Sequence, residues 1–101
     1  KFVLQRLSTE KFMQASTKPR RSPNANYQMV GEEAIIIDIN TGSYYSVNDT
    51  ATMFWELIDG QRTIADCART IAGDYDVEPG EVEADLLELA AELKDEGLII
   101  V

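Results

Sequence analysis

The chain has 101 residues, 45% hydrophobic and 27% charged, a globular composition that fits one domain around one core. A single cysteine and no histidine exclude an intrachain disulfide, a Cys-His catalytic couple and a His-ligated metal. The apolar runs fall far short of the roughly 18 residues that a membrane-spanning helix needs, and no signal-peptide pattern opens the chain. A cytoplasmic protein without membrane attachment is therefore expected.

Charge is divided unequally. Residues 1–21 carry six lysines and arginines against Glu10, whereas residues 22–101 carry three against 17 acids. The acidic part repels phosphate backbones and attracts basic peptides or proteins, so a nucleic-acid partner is not expected.

Residues 1–22 show no sustained helical or strand period, and the basic cluster at their end is flanked by Pro19 and Pro23. They read as a basic N-terminal arm, flexible or docked. Phe2-Val3-Leu4 is a candidate docked strand, and Ser8-Thr9-Glu10 a candidate helix cap. Residues 23–101 form the domain. Tyr27 to Val30 reads as a first strand, Gly31-Glu32-Glu33 as a turn, and Ala34 to Ile39 as a second strand. Three consecutive isoleucines, Ile35 to Ile37, predict burial on both faces and hence a central strand. Asp38 stands where its carboxylate can accept amides of the Asn40-Thr41-Gly42 turn. The third strand, Ser43 to Val47, alternates, which directs Tyr45 and Val47 to the core and leaves Tyr44 at a rim.

Asn48 or Asp49 caps a first helix that carries Met53, Phe54, Trp55, Leu57 and Ile58 and stops before Gly60. Thr63 caps a second, Ile64 to Ala72, with Ile64, Cys67, Ala68 and Ile71 as its buried stripe. Cys67 is thereby a small core residue. Gly73 to Asp76 lead out of that helix, with Val77 tacking the loop to the core. Pro79 sits in the first turn of a third helix, Gly80 to Glu96, and Gly97 ends it. On this helix Val82, Leu86, Leu89 and Leu93 form a core seam; Ala84, Leu87 and Ala91 lie on a second arc, and Asp85, Glu88, Glu92 and Asp95 on a third. The apolar surface is wider than one core seam requires. It serves either packing on another helix or one wall of a groove for an apolar peptide with basic neighbours. Leu98 to Val101 returns as a short apolar tail. The elements amount to an α+β domain, a three-stranded antiparallel sheet followed by a three-helix bundle.

The order AIIIDINTGSYYSVN, FWELIDGQRTI and YDVEPGEVEADLLELAAELKDEGLI resembles the PqqD-like family, whose domains are also called RiPP recognition elements. The resemblance spans about residues 22–101. It rests on Asp38 with Thr41-Gly42, Tyr44-Tyr45, Asn48, Trp55-Glu56-Leu57, Gly60, Thr63, Glu83-Ala84-Asp85 and Gly97-Leu98-Ile99 in this order and spacing. It implies a winged-helix-like fold and a non-catalytic adaptor without a cofactor. Such an adaptor binds the leader of a ribosomally synthesised precursor peptide and presents it to a radical SAM maturase or a leader peptidase.

The family's leader adds as a strand to the third strand, here Ser43, Tyr44, Tyr45, Ser46 and Val47, in a groove against the third helix. Apolar leader residues would meet Ala84, Leu87 and Ala91, or alternatively the Val82-Leu86 side. Basic ones would meet Asp85, Glu88 and Glu92. Residues 1–16 do not match the family and are expected to be a leader-like segment or a free arm. An exposed edge with a long arm is also what a domain-swapped homodimer requires. The rival readings are a winged-helix DNA-binding regulator, disfavoured by acidic second and third helices, and a structural oligomerisation module. No catalytic constellation is present in the sequence.

Overall fold

The computed structural model describes residues 13–101; the Phe2-Val3-Leu4 strand and the Ser8-Thr9-Glu10 cap lie outside them. Strand β1 is Arg20–Arg21, β2 Ala25–Val30, β3 Glu33–Asp38 and β4 Tyr44–Val47. Helices α1 (Asp49–Leu57), α2 (Ile64–Tyr75) and α3 (Pro79–Asp95) follow, and β5 (Ile99–Ile100) closes the order. The main sheet is antiparallel with order β2-β3-β4, and β1 pairs with β5 in a separate two-stranded ribbon. A three-stranded antiparallel sheet followed by three helices, within an α+β fold, is thus the observed architecture.

The isoleucine run takes the central strand. Ala34 and Ile36 are fully buried beneath the helices, while Ile35 and Ile37 are half-buried on the opposite face. At the β3–β4 turn the Asp38 carboxylate accepts the amides of Asn40 at 2.9 Å and Thr41 at 3.4 Å. Gly42 supplies the positive φ of 77° that this turn requires.

Each helix starts and stops on local chemistry. The Asn48 side chain accepts the Ala51 amide at 2.9 Å, and the buried Thr52 hydroxyl donates back to the Asn48 carbonyl at 2.8 Å. Thr63 and Asp66 form a reciprocal capping box at the start of α2, each side chain accepting the other residue's amide at 3.0 Å. At the end of α3, Gly97 donates to the Lys94 carbonyl (3.0 Å) and Leu98 to that of Leu93 (2.9 Å), the paired bonds of a Schellman motif. Buried Leu93 and Leu98 supply the apolar contact that accompanies it.

Two local expectations are corrected. Helix α2 continues through Gly73 to Tyr75 and stops at Asp76, which adopts the left-handed conformation at φ 56°. The Tyr75 hydroxyl donates to the Asp49 carboxylate at 2.9 Å, so the extra turn ties α2 to the start of α1 and offsets the helix cost of Gly73. Val77 is 44% exposed and does not tack the loop down.

The core joins Ile36 of the sheet to Phe54, Trp55, Ile58, Ile64, Ile71, Leu86 and Leu98, all at most 1% exposed. Each such side chain contributes about 1.5–3 kcal/mol of burial. Residues 13–22 are laid against this domain. Met13 is buried in the core, and Pro19 and Ser22 are buried as well. The carbonyls of Ala15, Thr17 and Pro19 accept the amides of Ala65, Ile64 and Gly60 at 2.9–3.0 Å. Two of those amides belong to the first turn of α2, which has no intrahelical acceptor for them. Arg20–Arg21 then pairs with the apolar tail, Arg20 opposite Ile100 and Arg21 opposite Ile99.

Candidate functional site

Among the described residues, the sheet has two unpaired edges, β2 and β4. In an antiparallel ladder each residue turns its amide and carbonyl to the same side, and neighbours alternate. Asp38 donates to the Ser43 carbonyl at 2.9 Å, and the register pairs Ile36 with Tyr45 and Ala34 with Val47. Ser43, Tyr45 and Val47 therefore bond inward to β3, and Tyr44 and Ser46 direct their backbone groups outward. The same argument on β2 starts from the bond of Ile39 to the Asn24 carbonyl at 2.9 Å and the pairing of Gln28 with Ile35. It leaves Tyr27 and Met29 facing outward.

The two edges differ in what flanks them. At β2, the Tyr27 ring meets Trp55 edge-on at 5.9 Å, and the Arg21 guanidinium lies 5.7 Å from the Tyr27 ring. Arg21 also donates to the Trp55 carbonyl at 2.8 Å. The indole nitrogen of Trp55, at 0% exposure, has no hydrogen-bond partner. At β4 the neighbour is α3. The Tyr45 hydroxyl donates to the Glu96 carboxylate at 2.9 Å, which joins the middle of the strand to the end of the helix. This bond, with help from partial burial and the nearby charges of Glu96 and Asp38, holds the Tyr45 hydroxyl above its ordinary pKa.

That contact identifies the helix face turned to β4. At about 100° per residue, Glu92, Leu89 and Asp85 lie four, seven and eleven residues before Glu96 and share its stripe. Asp85, Glu88, Leu89 and Glu92 line a shallow depression on α3. Its floor is the half-buried Leu89 and its rim is entirely acidic.

The predicted site residues therefore separate. On β4, Tyr44 and Ser46 are exposed with outward backbone groups, Tyr45 and Val47 pack against the core, and Ser43 is exposed at the turn. On α3, Asp85 and Glu88 meet in the depression. Ala84 is exposed on another arc, Leu87 is half-buried against the core, and Ala91 is buried at 8% exposure. Of the two helix faces left open by the sequence, the Val82-Leu86 side is buried in the core, and half-buried Leu89 lies beside it in the depression. Glu92, already expected beside Asp85 and Glu88, lies in the depression, and Leu89 and Glu96 join the candidate site; the signal that pointed to them was the seam through Leu89 and its acidic neighbours.

The exposed arc of α3 is acidic along its length, with Glu81, Asp85, Glu88, Glu92 and Asp95 against Lys94, and lacks the cations with which a recognition helix meets phosphates. Among the described residues, no group of three or more Cys, Asp or Glu side chains is arranged to hold a metal ion. No helix among them is long and apolar enough to cross a membrane.

The model of the family described as coenzyme PQQ synthesis protein D (PqqD) matches residues 33–99. Among solved structures, TbiB1 in complex with the TbiA(beta) leader peptide superposes with a TM-score of 0.73 at 20% identity, covering 79% of this chain and 93% of that one. Lasso peptide synthetase B1 complexed with its leader peptide gives 0.70 at 28% identity, with coverages of 83% and 99%. The PqqD truncation of Methylobacterium extorquens PqqCD, described as a functional, stand-alone RiPP recognition element, gives 0.76 at 21% identity, with coverages of 88% and 95%. No match is found among curated proteins.

Proposed function

The chain belongs to the family of coenzyme PQQ synthesis protein D, and on that footing we propose that it is a non-catalytic adaptor for the leader of a ribosomally synthesised precursor peptide. The observation that carries the reading is the open edge of β4, where Tyr44 and Ser46 turn their backbone groups outward beside the acidic stripe of α3. A strand added there gains up to four backbone hydrogen bonds, and its side chains alternate between the outer face of the sheet and the groove against α3. Leu89 receives an apolar leader residue. Asp85, Glu88 and Glu92 receive basic ones, at about 0–1 kcal/mol for each exposed pair, so charge acts more on encounter than on affinity. Two structural neighbours are described with leader peptides bound, which supports leader binding by this fold.

The adaptor presents the bound precursor to a modifying enzyme, either a radical SAM maturase or a leader peptidase, and holds no cofactor of its own. Calorimetry tests the reading, using leader peptides from short precursor genes neighbouring this one. Saturable one-to-one binding is expected, and absence of binding to all of them contradicts the proposal.

A further inference from the structure

We propose that β2 is a self-pairing edge: two copies of this chain join antiparallel through it, about a twofold axis at Gln28, and double the three-stranded sheet. The inference goes beyond the leader reading, because it uses the opposite edge of the sheet and stands whether or not β4 takes a peptide.

The β2 edge lacks the devices that keep exposed edges apart. Charges and prolines commonly blunt an edge strand, yet residues 24–30, NANYQMV, contain neither, in a chain of net charge −9. Tyr27, Met29 and Val30 are all exposed there. Two acidic molecules therefore meet little repulsion along β2. Self-pairing through β4 would instead draw together the acidic stripes of two α3 helices.

Charge at the ends of β2 favours the antiparallel arrangement. Arg20-Arg21 precedes the strand and Glu32-Glu33 follows it, and the Arg21 guanidinium lies 5.7 Å from the Tyr27 ring. An antiparallel pair brings the basic end of each copy to the acidic end of the other, whereas a parallel pair sets like against like.

The twofold then fixes the register. Tyr27 and Met29 direct their backbone groups outward, and the registers that keep the strands overlapped place the axis on Tyr27, Gln28 or Met29. On Tyr27 it would bring the two Arg21 guanidiniums together. On Met29 it would set Tyr27 opposite Gly31, which turns out of the strand at φ 68°. On Gln28 it sets Tyr27 of each copy opposite Met29 of the other, with up to four backbone hydrogen bonds and a thioether against each ring. Gln28 then faces its own copy on the outer side of the sheet, the side of its cross-strand partner Ile35. Asn26 faces Val30. The two β4 edges lie at the far ends of the joined sheet, so the pair holds two leaders at once.

Sedimentation equilibrium of the full chain tests the pairing, and single cysteines test the register. The mass is expected to rise with concentration from that of one chain, 11.3 kDa, toward twice that value. Met29→Lys puts a charge on the exposed edge, and should hold the mass at one chain while melting as the parent does at high dilution. Under mild oxidation Gln28→Cys is expected to link to itself, since a non-hydrogen-bonded pair sets Cα atoms about 4.5 Å apart, within disulfide range. Asn26→Cys should link only when mixed with Val30→Cys, and the buried Cys67 takes no part. A single-chain mass at about 1 mM, a dimer that Met29→Lys leaves intact, or self-linking of Asn26→Cys as readily as of Gln28→Cys overturns the proposal. Calorimetry with the neighbouring-gene leader keeps the two readings apart. Self-pairing without leader binding removes the leader reading alone, and leader binding by a chain that stays single removes the self-pairing alone.

Discussion

The hydroxyl of Tyr45 reaches from the middle of β4 to the carboxylate of Glu96 at the end of α3, at 2.9 Å. This contact fixes the strand whose outer edge is open relative to the helix that supplies the acidic stripe. Tyr45→Phe is expected to keep the fold, because the ring still packs against the core, while the β4 amides lose hydrogen-exchange protection. The pH dependence follows from the raised Tyr45 pKa. The folded state holds the phenolic proton more tightly, so the contribution of this group is fully present below the ordinary value near 10 and is lost as pH rises through the raised one. Alkaline titration of thermal stability should therefore show a fall in the parent that is weaker in Tyr45→Phe. Identical alkaline profiles would show that the bond carries no stability.

Proline substitution distinguishes the outward from the inward residues of β4. Proline is tolerated on an edge strand where its missing N–H faces solvent. Ser46→Pro should thus melt close to the parent yet bind leader peptide more weakly, by about fivefold for a lost backbone bond of roughly 1 kcal/mol. Tyr45→Pro removes an inward amide and should lower the melting temperature far more. Equal damage from the two, read by circular dichroism, would place the edge wrongly.

The capping box of α2 contributes to the acid limb of stability. The Thr63 backbone amide, and then its side chain, hold the Asp66 carboxyl below its ordinary pKa. A lowered carboxylate contributes stability above its unfolded value, and that contribution is lost as pH falls through the folded one. Thr63→Ala is expected to cost about 1 kcal/mol at neutral pH and to flatten the acid limb in urea titrations run at successive pH values. An unchanged midpoint would contradict the assignment.

Cys67 is fully buried, and desolvation pushes its thiol up to about 11. Thiol reagents act on the thiolate, so labelling at pH 8 should proceed at the rate of global unfolding and rise with denaturant in step with it. Rapid stoichiometric labelling of the folded chain would contradict this placement.

The central β3, the Asp38 turn, the caps of α1 and α2 and the Gly97 stop were legible in the sequence because each rests on residues within about four positions of one another. The anchoring of Met13 to Arg21 was not legible. Its bonds go to the α1–α2 loop, the first turn of α2 and β5, partners remote in sequence that no local period announces. The face of α3 was half legible. The sequence displayed several arcs, yet the choice between them depends on Tyr45 meeting Glu96, 51 residues away. Ala91 shows the consequence, since an alanine suited to a groove wall is equally suited to the interior, and the interior holds it.

The most direct test is residue-resolved hydrogen exchange with and without the neighbouring-gene leader peptide. In the free protein the amides of Tyr45 and Val47 are protected by β3, while those of Tyr44 and Ser46 exchange readily. Saturation with leader is expected to protect Tyr44 and Ser46 and to shift Leu89 and Glu92. Protection appearing instead at Tyr27 and Met29, with Tyr44 and Ser46 unchanged, would move the peptide to the opposite edge and contradict the account.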